Sequence, residues 1–150
     1  MKKILGISLI GLALVIGIVP FFTDCLSQGK ALTTTAGTTV PMKCHWTAIA
    51  EIAMAIPLGL IGLFNFTSKR KETFTTLNLL GVGLGALVIA LPTVLIGVCA
   101  NPTHVCNMIM KPTLIAAGTL AIVACVAVLS SALRMGPDQA YPTQQAGFAA

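Results

Sequence analysis

The chain has 150 residues, of which 56% are hydrophobic and 9% charged, far below the roughly one quarter of charged residues that a water-exposed surface carries. The formal charge of +5 comes without a basic stripe interleaved with aromatics, which excludes a nucleic-acid surface. In so apolar a chain the lysines and arginines instead set membrane orientation and meet anionic headgroups.

Four apolar runs follow one another, each long enough to cross about 30 Å of hydrocarbon as a helix of roughly 20 residues. None alternates polar and apolar residues as a barrel strand would, so helices are predicted. The first runs from about Ile4 to Phe22, behind Lys2 and Lys3. No small-x-small cleavage site follows it, and Phe22, Thr23 and Asp24 are poor residues for lipoprotein processing before Cys25; the run is read as a retained helix. Ser27 to Val40, "SQGKALTTTAGTTV", is a polar, Thr-rich outer loop. The second run, about Trp46 to Phe66, contains Pro57; the third, about Phe74 to Val98, contains Pro92. Both prolines are expected to kink their helices. The third run also carries "GVGLG", in which Gly81 and Gly85 make a small-xxx-small packing pair. The fourth run, about Pro112 to Leu133, opens on a proline suited to a helix start. Thr113, Ala117, Ala121 and Cys125 recur every four residues along it, a stripe that lets another backbone come close. Residues 1–134 thus form a four-helix transmembrane domain of two hairpins, and residues 135–150, rich in Pro and Gln, a flexible cytoplasmic tail.

Lys2, Lys3, Lys69, Arg70, Lys71 and Arg134 fall on one side of such a topology and only Lys30, Lys43 and Lys111 on the other. That bias predicts both termini inside the cell, in a bacterial cytoplasmic membrane. Cys25, Cys44, Cys99 and Cys106 then all lie at the outer helix ends, while Cys125 is mid-helix. An even set of outer thiols suggests a disulfide-stapled cap. Four cysteines allow three pairings, of which Cys25–Cys44 with Cys99–Cys106 is the simplest, worth about 2–4 kcal/mol per bridge. "PMKCHW" and "THVCNM" align as a weak internal repeat, Met42-x-Cys44-His45 against His104-x-Cys106-Asn107.

Three readings compete for this outer cluster. In the structural one, disulfides staple the loops while Met42, Met108, Met110 and Trp46 fill the interface. In the second, Met42, Cys44, His45, His104, Cys106, Met108 and Met110 supply soft donors for copper(I) or a similar ion. In the third, the thiols exchange with disulfides, although the C-x-x-C pair usual in such enzymes is missing. Glu51 is the only acid within the spans. It is expected either to make an inter-helix polar contact, with Lys111, His45, Asn107 or another subunit, or to sit near enough to the interface to be solvated.

The stretch "MKCHWTAIAE", followed by "CNMIMKPTLI" after an apolar third span, resembles a family of small bacterial four-helix membrane proteins of uncharacterised function. Members of that family tend to be encoded beside ABC transporters of the macrolide-exporter type, with an FtsX-like permease and an ATPase. The resemblance therefore implies a non-catalytic accessory subunit of such an exporter, with permease and ATPase as partners; apart from the copper reading of the outer cluster, no cofactor is expected. It carries over no catalytic residue.

Overall fold

A computed structural model of the chain describes residues 2–67 and 71–133. The tail at 135–150 and the basic residues Lys69, Arg70 and Arg134 lie outside the described residues. Four helices, α1 (Lys2–Thr23), α2 (Lys43–Thr67), α3 (Lys71–Ala90) and α4 (Lys111–Leu133), make up the body. All are long and apolar enough to cross a membrane, and only 28–39% of each spanning window is buried inside the bundle. The rest of those windows faces outward with side chains such as Leu14, Ile56, Leu79 and Val123. Such a belt is tolerable only in hydrocarbon, so the chain is a multi-pass membrane protein.

Two of the helix boundaries differ from expectation. The third helical segment passes at Leu91 into a π turn, Leu91–Leu95, and stops short of Val98. Pro92 has no N–H to donate, and the ladder resumes one residue wider. The amides of Ile96 and Gly97 both bond to Leu91 O, at 3.1 and 2.9 Å. Gly97, at φ +80°, supplies the left-handed residue that ends the segment. The fourth segment begins earlier than expected, with a π turn at Cys106–Met110. Pro112 is therefore the second residue of α4 rather than the start of the helical segment. The loop between α1 and α2 folds back as a small antiparallel ribbon, β1 (Leu32–Thr33) against β2 (Thr39–Val40), with Gly37 at φ +78° in its turn.

Packing is strongest between α1 and α2 and between α3 and α4, so the two expected hairpins exist. Glycines set the closest approach in each. A Cβ on Gly62 would lie 2.9 Å from Gly6 O, and one on Gly118 would lie 3.0 Å from Gly85 O. Gly81 faces the buried Cys125 thiol, and Ala117 and Ala121 are buried on the same α4 stripe. Gly81 and Gly85 thus lie where α3 comes closest to α4. Thr113 instead returns its hydroxyl to Ile109 O of the same segment.

Polar contacts join one hairpin to the other. Asn65 of α2 and Asn78 of α3, both buried, exchange two amide hydrogen bonds of 3.0 and 2.9 Å. Toward the cysteine end, the Thr47 hydroxyl donates to Gly97 O at 2.7 Å. With no competing water, an unmade bond at either place leaves a polar group in an apolar interior.

Candidate thiol and metal centre

Four cysteines at one end of the bundle converge on one point. Cys25 is the second residue past α1, in a turn fixed by the Lys30 amide bonding to Cys25 O at 2.8 Å. Cys44 stands in the first turn of α2, Cys99 two residues beyond the Gly97 stop, and Cys106 at the head of the second π turn. Cys25 Sγ lies 3.1 Å from both Cys99 Sγ and Cys106 Sγ, and Cys44 Sγ lies 3.2 Å from Cys99 Sγ. The sulfurs form a chain, Cys44–Cys99–Cys25–Cys106, in which every link crosses from one hairpin to the other.

The disulfide cap expected from the sequence is not supported. All five cysteines are free thiols. The sulfur contacts of 3.1–3.2 Å run between the hairpins, Cys25 to Cys99 and Cys106 and Cys44 to Cys99, rather than along the within-hairpin pairs Cys25–Cys44 and Cys99–Cys106.

Three of these thiols and a ring nitrogen of His104 lie within 4.8 Å of one another, a Cys3His set able to hold a metal ion. His104 Nδ1 is buried and has no hydrogen-bond partner among the described residues. Beside it is a cavity of about 10 Å³ lined by Cys25, His104 and Cys106, with Lys30 and Gln28 also on its wall. Tetrahedral zinc with Zn–S near 2.3 Å would hold its sulfurs about 3.8 Å apart. The observed 3.1 Å contacts would have to open by about 0.7 Å, within the reach of small side-chain adjustments. The donor set therefore fits a thiophilic ion.

Electrostatics divide the thiols. Burial, reinforced by the hydrogen bonds of the other cysteines, pushes the Cys25 thiol above its ordinary value. Burial also opposes ionisation of Cys99, but hydrogen bonds from Cys25, Cys44 and Cys106 outweigh it and hold that thiol low.

The other candidate ligands separate. Met42 Sδ is 3.8 Å from Cys99 Sγ and remains part of the centre. His45 does not: its Nδ1 donates to Asp24 Oδ2 at 2.7 Å. Met108 is largely exposed, and Met110 is fully buried in the core that also contains the buried thiols. Asp24 passed unnoticed in the sequence. It is buried, accepts the Ser27 amide at 2.8 Å, and braces the thiol-bearing ends of α1 and α2 through His45. Burial works against its charge, yet the Ser27 and His45 hydrogen bonds keep its carboxyl below the usual value. The signal was an acid directly beside a cysteine at a helix end.

Glu51 is completely buried on the α2 face that also carries Cys44, Thr47, Ala48 and Ala55. The solvated alternative is thus overturned. Neither carboxylate oxygen has a partner among the described residues, so the expected contacts with Lys111, His45 or Asn107 do not form within this chain.

A family model described as a domain of unknown function, DUF4418, matches residues 7–130. The chain belongs to that family. The DUF4418 match takes in all four cysteines, His104 and Glu51, so the centre lies inside the family's domain. Neither a curated protein nor a solved structure matches the chain.

Proposed function

We propose that this DUF4418 protein binds a thiophilic closed-shell ion, zinc or monovalent copper, at the outer end of its four-helix bundle. The observation that carries this is the Cys25, Cys99, Cys106 and His104 donor set, with a buried ring nitrogen left unpaired. Three thiolates and one imidazole are a common structural zinc set, and the same soft sulfurs select monovalent copper. Met42 and Cys44, against Cys99, would form the rim by which such an ion arrives. The positive-inside bias of the lysines and arginines supports an extracytoplasmic location for this end in a bacterial membrane.

Full-length protein purified under reducing conditions with ample zinc and copper should retain about one ion per chain by elemental analysis. Cobalt(II) loading should give thiolate charge-transfer absorption. His104→Ala and Cys106→Ser should lower the metal content, and Cys125→Ser should not. Metal near zero, with all four outer thiols titratable, would end this reading.

The family resemblance supports a wider role as a non-catalytic accessory subunit of an ABC-type exporter. Co-purification of a permease and an ATPase in mild detergent tests it; a lone monomer counts against it.

A further inference from the structure

The order of the sulfurs has a chemical meaning that ion binding does not use. Cys25, Cys44 and Cys106 are 2%, 0% and 1% exposed, whereas Cys99 is only partly buried. The thiol that solvent can reach is also an inner link of the chain, in contact with Cys44 on one side and Cys25 on the other. A disulfide formed at Cys99 can therefore be resolved by either neighbour without any large movement.

We propose that this centre carries out thiol–disulfide exchange with external disulfides, attacked first by Cys99, and that its bridges run between the hairpins as Cys25–Cys106 and Cys44–Cys99. The reacting partner is a disulfide of the form RS–SR on a small molecule or an exported protein. The Cys99 thiolate attacks one sulfur, forming Cys99–SR and expelling RS⁻. Cys25 then attacks Cys99 Sγ, forming Cys25–Cys99 and expelling the second RS⁻. Cys106 attacks Cys25 Sγ, moving the bridge to Cys25–Cys106 and freeing Cys99. A second RS–SR enters by the same route, and Cys44 resolves it to Cys44–Cys99. In all, four thiols become two disulfides, two RS–SR become four RSH, and the four protons pass to the departing thiolates. Among the sulfur contacts of 3.1–3.2 Å this is the pairing that uses all four sulfurs. It also converts a seam between hairpins into a covalent one. The proposal shares thiols with the metal reading but needs no ion.

The test uses reduced, chelator-stripped full-length protein in detergent, so that its outcome is separate from that of metal analysis. Glutathione disulfide is the probe. Wild type should release four glutathione thiols per chain. Acid-quenched, alkylated digests cut between Cys99 and Cys106 should contain the Cys25–Cys106 and Cys44–Cys99 peptides. Cys99→Ser should slow the first exchange by at least about tenfold, because each remaining thiol must wait for a local opening. As a readout that does not depend on that variant's fold, wild type is also labelled briefly with a small alkylating reagent, and Cys99 should be modified first. Bridges within the hairpins, first labelling at a buried cysteine, or a folded Cys99→Ser protein exchanging at the wild-type rate would each overturn the proposal.

Discussion

Replacing Glu51 by methionine should stabilise the bundle. The side chain is fully buried in α2, and neither oxygen has a partner among the described residues. An unsatisfied buried polar group costs about 1–3 kcal/mol, and ionisable residues deep in a helix centre cost a few kcal/mol on insertion scales. Methionine is similar in volume and flexibility, so repacking should cost under about 1.5 kcal/mol. The balance is a gain of about 1–2 kcal/mol. It is measurable as a shift in reversible unfolding by SDS in mixed micelles, read by circular dichroism. Trp46, the single tryptophan near the start of α2, offers a second probe. Glu51→Gln keeps the polar load and should show little gain. Should Glu51→Met instead lose more than about 1 kcal/mol, the carboxyl must be making a favourable contact, and the reasoning from its isolation fails.

Other perturbations test the rest of the frame. In a double-mutant cycle of Asn65→Ala and Asn78→Ala, the two reciprocal amide bonds should show coupling of about 1 kcal/mol, from roughly 0.6 kcal/mol per intramembrane hydrogen bond; coupling near zero would remove the amide pair as an inter-hairpin clasp. Gly62→Ala should destabilise by about 1–3 kcal/mol in the same unfolding assay, because its Cβ would lie 2.9 Å from Gly6 O and 3.0 Å from Ile10 N, backbone atoms that cannot turn aside. Gly11→Ala, with nothing within 4 Å of the new carbon, serves as the tolerated control. Asp24 is held below its ordinary value of 3.8. Its contribution is therefore complete above that pH and is lost as pH falls through the lower native value. The stability advantage of wild type over Asp24→Asn should shrink below pH 3.8, while a constant difference would refute the assignment.

The four spans were readable because hydrocarbon imposes length and apolarity on every helix that crosses it, a signal spread over many residues. The grouping of Cys25, Cys44, Cys99 and Cys106 at one end followed from counting crossings. Which sulfurs touch could not be counted in that way, since it depends on how one hairpin is rotated against the other. Pairing by nearness in sequence therefore favoured Cys25–Cys44 and Cys99–Cys106, whereas the contacts of 3.1–3.2 Å run across. The π turns at Leu91 and Cys106 were illegible for a similar reason: periodicity marks a helix but not the extra residue that accommodates a proline. Asn65 and Asn78 were visible as two amides in apolar surroundings, and Gly6, Gly62 and Gly118 as small residues beside long ones, yet each pair has meaning only once its partner is known. Glu51 was recognised as costly, but its depth came from the packing of α2 rather than from its distance to the span's end.

The glycine seams have a consequence for how the molecule is made. Gly6 meets Gly62 and Gly85 meets Gly118, so each antiparallel pair can close as soon as its own two segments have entered the bilayer. The sulfur ledge exists only where the two pairs meet, because each of its 3.1–3.2 Å contacts joins one pair to the other. The proposed exchange at Cys99 would thereby report complete assembly: a half-built chain would hold thiols, but not the cross-hairpin neighbours of Cys99.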